Sequence, residues 1–156
     1  MSGITGATLI SFPGINISRL TFRISRGQVD LNSRHLILHV GTNDINSLLV
    51  PEIVASYNDL ISVVRDNSVC DIVVSAVLPR PIDHDKNGEK VKDLNKKLKT
   101  LCIDRQCKFV KTFKPFLHAG EPRRELYAVR DGGLHLNWEG CRRLRQFFIN
   151  CVAHLS

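Results

Sequence analysis

Residues 35–40, HLILHV, form a short, nearly continuous apolar run, and residues 70–77, CDIVVSAV, form a second. Each is far shorter than the roughly 20 residues of a membrane span. Both read as strands covered on two faces, as in a parallel sheet. Between them the period changes. Pro51 suits a first helical turn, and Ile53, Val54, Tyr57, Leu60, Ile61 and Val64 follow helical spacing. The same alternation runs along the chain. ATLISF (7–12) reads as a strand closed by Pro13-Gly14, and residues 16–25 as a helix with Asn16 as N-cap and Ile17, Leu20 and Ile24 on one face. PRPIDHDKNGEK (79–90) reads as a polar loop, with a helix over 89–104 carrying Val91, Leu94, Leu98 and Leu101 inward. Residues 107–113 are a further strand, 114–134 mainly loop, and a helix capped by Asn137 runs through Leu144, Phe148, Cys151 and Val152. Strands alternating with helices predict an α/β domain with a parallel sheet. The chain of 156 residues is long enough for one domain with a real core. In such sheets the working residues gather at the carboxyl ends of the strands.

Hydrophobic content of 43% and charged content of 24% are those of a soluble globular chain rather than a disordered or membrane one. The opening residues lack the basic start and apolar segment of a signal peptide. No repeat, low-complexity tract or linker divides the sequence. Five cysteines, an odd number without a CxxC pair, read as buried free thiols in a reducing, intracellular compartment, cytoplasmic or nuclear. Cys and His residues do not cluster at ligand spacing, so no zinc site is expected. The formal charge of +7 is uneven: residues 1–85 hold 6 Lys+Arg against 8 Asp+Glu, and residues 86–156 hold 16 against 7. A basic carboxy-terminal half permits contact with RNA through Lys96, Lys97, Lys99, Arg123, Arg124, Arg142, Arg143 and Arg145. It is equally the pattern of solvated helix faces, and no RNA-binding aromatic motif or zinc finger accompanies it.

Three features fall at strand ends: Pro13-Gly14, Gly41-Thr42-Asn43-Asp44, and the loop RDGGLHLNWEG (130–140) before the last helix. Asn43 offers an uncharged amide donor, which a developing oxyanion requires fixed in advance. Gly14 has no side chain and can bring a backbone N–H close to the same place. His135 lies just before a helix, with Asp131 near enough to orient its ring if the loop folds back. Each also has a plainer reading: a tight turn with a helix cap for 41–44, and a surface or packing residue for His135.

In this ordered combination the chain resembles the SGNH hydrolase superfamily, also called GDSL-type esterases and lipases, over nearly its whole length. The resemblance implies a three-layer, flavodoxin-like α/β fold and acyl-ester hydrolysis without metal or organic cofactor. Gly14, within SFPGINISRL, matches the family's glycine block, and Gly41-Thr42-Asn43-Asp44 its Gly-x-Asn-Asp block. DGGLHLNWEG resembles the block of the catalytic histidine. The implied roles are His135 as general base, Asp131 as its orienter, and Gly14 and Asn43 as oxyanion donors. VLPRPIDHDKNGEKVKDLNKKL further resembles members associated with animal retrotransposons and their domesticated relatives.

Two departures stand out. The family's Gly-Asp-Ser block with its nucleophile does not occur, and the chain begins where the second family strand would. The resemblance therefore implies a sheet lacking its first strand, one domain over 1–156 truncated at its N-terminus, and little or no hydrolysis. Ser2 and Ser11 are the only serines before Gly14, and neither has the nucleophile's context. Asp131 and His135 are four apart, where the family spacing is three. Either Gly133 bulges and the pair survives, or Gly132 takes the Asp position. The first strand, at 7–12, either pairs directly with 35–40 or leaves a gap. A non-catalytic module binding RNA or protein is the reading of a different class.

Overall fold

The protein is described here by a computed structural model covering residues 6–12 and 14–155. Ser2 and Pro13 lie outside the described residues. Four parallel strands follow one another across a single sheet: β1 (Ala7–Ile10), β2 (His35–Leu38), β3 (Asp71–Ser75) and β4 (Lys108–Val110). The helices between and after them are α1 (Ile17–Ser25), α2 (Val50–Asn67), α3 (His84–Arg105) and α4 (Trp138–Leu155). The strand's period of two divides the interior. Leu36, Leu38, Ile72 and Val74 enter one core with α1, α2 and α3. Ile37, Val73 and Val110 enter the other, closed by Leu144, Phe148 and Val152 of α4. The architecture is a three-layer α/β sandwich around a parallel sheet. β1 pairs directly with β2, Ala7 opposite His35 and Ile10 opposite Leu38.

The ladders of β2 and β3 stop short of their apolar runs, where other groups serve the last backbone positions. Val77 N–H donates to Asn95 Oδ1 of α3 at 2.8 Å, and Asn95 Nδ2 donates back to Val77 O at 2.9 Å. Tyr57 Oη donates to Val40 O at 2.6 Å. These residues stay buried but turn away from the sheet, and so furnish the loops at its carboxyl edge.

Two helix starts match their caps. Asn16 Oδ1 accepts Arg19 N–H at 2.8 Å, and Asn137 Oδ1 accepts Gly140 N–H at 2.9 Å. The segment 79–90 corrects its reading as a loop. Pro81–Asp83 is a 3₁₀ turn, and α3 begins at His84 rather than at 89. Its polar side chains are engaged inward: Arg80 pairs with Asp83, and Asn87 Nδ2 donates to Asp83 Oδ2 and Asn46 Oδ1, both at 2.9 Å. Polar burial leaves no apolar period to read. Residues 117–122 fold as a minimal hairpin, β5 (Leu117–His118) and β6 (Glu121–Pro122), turning at Ala119-Gly120 with positive φ at both. Among the described residues no helix is long and apolar enough to cross a membrane.

Candidate active site

The carboxyl ends of β1, β2 and β3 face the loop before α4 across a cleft of about 380 Å³. Ser11, Gly14, His39, Asn43, His135 and Cys141 are on its wall. The first wall is the turn after β2. Gly41 takes φ 107°, and a Cβ there would lie 2.3 Å from Tyr57 Oη and 3.0 Å from Val77 Cγ2, so conformation and space both demand glycine. Thr42 is gripped by Arg80, whose Nη1 donates to Thr42 Oγ1 at 2.9 Å and to Thr42 O. Arg80 is itself held by a bidentate ion pair, Nε to Asp83 Oδ1 at 2.9 Å and Nη2 to Oδ2 at 2.7 Å, and is 5% exposed. Burial opposes ionisation of Asp83, yet the bonds from Arg80 and Asn87 outweigh it and hold the carboxyl below its usual range.

Asn43 Nδ2 donates to Ile15 O at 3.0 Å, and Asp44 Oδ2 accepts Ile17 N–H at 3.1 Å. Asp44 thus serves an orphan donor at the start of α1; burial pushes its pKa up, and the bond from Ile17 opposes that rise. One hydrogen of the Asn43 amide is spent on orientation, which leaves the second. Gly14, at φ 71°, is exposed, and a Cβ there would meet nothing within 4 Å. Its glycine is required by the backbone alone.

The opposite wall is the turn 131–135. Asp131 Oδ2 lies 2.7 Å from His135 Nδ1, and its carboxylate also accepts N–H groups of Gly133 (3.2 Å), Leu134 (3.0 Å) and His135 (3.2 Å). Desolvation pushes this carboxyl up, but the imidazole and the three backbone donors prevail and bring it down to about 2. Gly132 and Gly133, with φ of 74° and 94°, absorb the additional residue between Asp131 and His135. Ala128 N–H bonds to His135 O at 2.8 Å and fixes the end of the turn. With Nδ1 engaged by the carboxylate, Nε2 is the nitrogen left to accept a proton.

Among the described residues no hydroxyl or thiol is hydrogen-bonded to His135. Ser11 is exposed on the cleft rim. Lys96, Lys97 and Lys99 belong to α3, whereas Arg142, Arg143 and Arg145 belong to α4 on the other side of the sheet, so the basic residues do not share one face. Lys97, Arg123 and Arg142 are paired with Asp93, Glu125 and Glu139.

Sequence reasoning passed over Arg80 and His39. His39 was absorbed into an apolar strand, yet it lines the cleft. Its Nδ1 lies 3.2 Å from Ser75 Oγ, which also meets Thr112 Oγ1 at 3.2 Å. Burial brings its pKa down to about 4. A histidine at the carboxyl end of an apolar run was the available signal. For Arg80 it was an arginine between two prolines with an aspartate three residues on.

No curated protein matches this sequence. The chain is similar to a structure described provisionally as a platelet activating factor from Streptococcus pneumonia, with 26% identity over 88% of this chain and 68% of that one, and a TM-score of 0.70. It shares the fold of a GDSL-like lipase from Bacteroides thetaiotaomicron, at 14% identity over 92% of this chain and 73% of that one, TM-score 0.76. It also shares the fold of the esterase domain of the first open-reading-frame protein of a zebrafish retrotransposon, at 24% identity, 91% and 85% coverage and TM-score 0.59. The profile of the GDSL-like lipase/acylhydrolase family matches residues 2–143, and the chain belongs to that family.

Proposed function

We propose that this chain carries the base and oxyanion parts of an acyl-ester hydrolase site without the nucleophile, and that by itself it does not turn over esters. The observation that carries this reading is the 2.7 Å contact of Asp131 with His135 on the cleft that Asn43 and Gly14 also line. Asp131 holds the ring in one orientation and balances the charge it gains as a base. His135 Nε2 would take the proton of an attacking hydroxyl and return it to the leaving alcohol. The second hydrogen of Asn43 Nδ2 and the N–H of Gly14 would donate to the oxyanion. One such donor is worth about 10²–10³ in rate. Without a hydroxyl bonded to the imidazole, none of this begins the acyl transfer. The likeness to a retrotransposon esterase domain supports placing the chain among transposon-derived members of its family.

Short-chain aryl esters test the reading. The expected result is hydrolysis no faster with the protein than with its His135→Ala variant. Robust turnover that disappears in that variant overturns it, and makes Ser11 the first hydroxyl to examine.

A second reading, RNA binding, rests on α4. Trp138 is 73% exposed with the Arg142 guanidinium 5.5 Å from its ring centre, a platform on which a base can stack. Affinity for single-stranded RNA that falls steeply with salt and is lost in Trp138→Ala is expected on this reading. No binding at low salt ends it.

A further inference from the structure

At the amino-terminal edge of the sheet, away from the cleft, α3 ends in a Schellman turn. Cys107 N–H donates to Cys102 O at 2.8 Å and Gln106 N–H to Ile103 O at 3.4 Å, with Gln106 at φ 55°. Such a turn folds the residue after the helix back onto its last turn, where two side chains, usually apolar, meet. Here both are cysteines, brought to the same turn by this backbone, and the Cys107 thiol donates to Arg105 O at 3.8 Å. Cys102 is 1% exposed, whereas Cys107 is half-buried.

Two guanidinium groups serve the more exposed sulfur. Arg65 Nη2 donates to Cys107 Sγ at 3.7 Å and to Gln106 O at 3.3 Å. Arg105 is fixed by Asn58 and Ser62 of α2 and adds a second positive charge. The adjacent Cys102 thiol does most to lower the pKa of Cys107; burial opposes this, and the two arginines assist. The neighbouring Cys107 and burial together push the Cys102 thiol up. Burial pushes Cys70, Cys141 and Cys151 up as well.

We propose that Cys107 and Cys102 form an oxidant-sensitive thiol pair, in which a hydroperoxide oxidises Cys107 and Cys102 then closes a disulfide. The Cys107 thiolate attacks one peroxide oxygen and the O–O bond breaks. Two electrons pass from sulfur to the departing oxygen, which leaves as water or alcohol after taking a proton. The resulting sulfenic acid is attacked by the Cys102 sulfur. The S–O bond breaks, the S–S bond forms, and the hydroxyl leaves with the Cys102 proton as water. The product ties the last turn of α3 to the start of β4.

The test uses the folded full chain, treated with hydrogen peroxide at neutral pH, alkylated, and digested with trypsin without reduction. Cleavage after Arg105 places the two cysteines on separate peptides, TLCIDR (100–105) and QCK (106–108). The expected product is these two joined by a disulfide, with the other three cysteines alkylated. Cys102→Ser should leave a dimedone-reactive sulfenic acid on QCK. Arg65→Ala should slow disulfide formation several-fold while Arg65→Lys retains most of the rate, a split that mere packing would not produce. A cross-link between other cysteines, equal oxidation of all five, or an unchanged rate in Arg65→Ala overturns the proposal. Should the cysteine variants fail to fold, the wild-type peptide map and the arginine pair still decide it.

Discussion

The two walls of the cleft are made in opposite ways. The 41–44 turn is interlocked with the interior: Tyr57 packs on Gly41, Arg80 grips Thr42, and Asp44 serves the start of α1. The 131–135 turn lies at the surface and is organised by one carboxylate, with the His135 side chain 48% exposed. The second turn packs on Pro81, the neighbour of Arg80, and a Cβ added to Gly133 would stand 2.6 Å from Pro81 Cβ. A residue of the first wall is thus inseparable from folding, while the second can change its chemistry with the fold intact.

The largest test of this contrast is Arg80→Met. It strands the Asp83 carboxylate, only 15% exposed, and releases Thr42. Breaking a buried pair by removing one partner costs about 3–5 kcal/mol. Urea unfolding should register that loss, and Arg80→Met with Asp83→Leu should recover much of it. A loss within experimental error would mean that the 41–44 turn does not depend on this clamp. Gly41→Ala comes next. The added methyl overlaps Tyr57 Oη, and overpacking costs about 1–3 kcal/mol before backbone strain is added. Tyr57→Phe deletes the overlapped atom, so the double variant should be less destabilised than the two single losses added together. Strict additivity would refute the clash.

His39 gives a smaller effect, visible in pH. Its folded pKa of about 4 lies below its ordinary 6.5. Between these values the unfolded chain binds a proton that the folded chain refuses. Stability is therefore full above pH 6.5 and declines as pH falls towards 4. Ser75 Oγ lies 3.2 Å away and the centre of the Phe148 ring 6.0 Å away, and neither carries a charge to offset protonation. His39→Gln should flatten the unfolding midpoint against pH in that window. An unchanged slope would assign the decline to other groups.

Sequence alone served well where apolar period was decisive. The strands β2 and β3, the inward face of α2, and the Asn16 and Asn137 caps were legible because each has a local signature. The start of α3 was not, since Asp83 and Asn87 are turned inward by bonding to each other and to Arg80 and Asn46. The four-residue spacing of Asp131 and His135 left two geometries open. Two positive-φ glycines bring the carboxylate to the ring, and sequence spacing could not express that backbone choice. The Gly-Thr-Asn-Asp turn stood out in the sequence, but Asp44's partner on α1 lies 27 residues away and is a product of tertiary folding.

Asp131→Asn should have the smallest effect on stability and the most local one. Its folded pKa of about 2 is below the ordinary 3.8, so the carboxylate's contribution is present above pH 3.8 and lost as pH falls towards 2. Asparagine keeps a carbonyl for the backbone donors of the turn. It cannot balance charge on the imidazole. At neutral pH the urea midpoint should move far less than in Arg80→Met, and the acid limb between pH 4 and 2 should flatten. The His135 ring resonances in proton–nitrogen spectra should shift, with those of His39 unmoved. If Asp131→Asn unfolds the chain as readily as Arg80→Met, the carboxylate is holding the fold as well as the histidine, and the two walls are one structure after all.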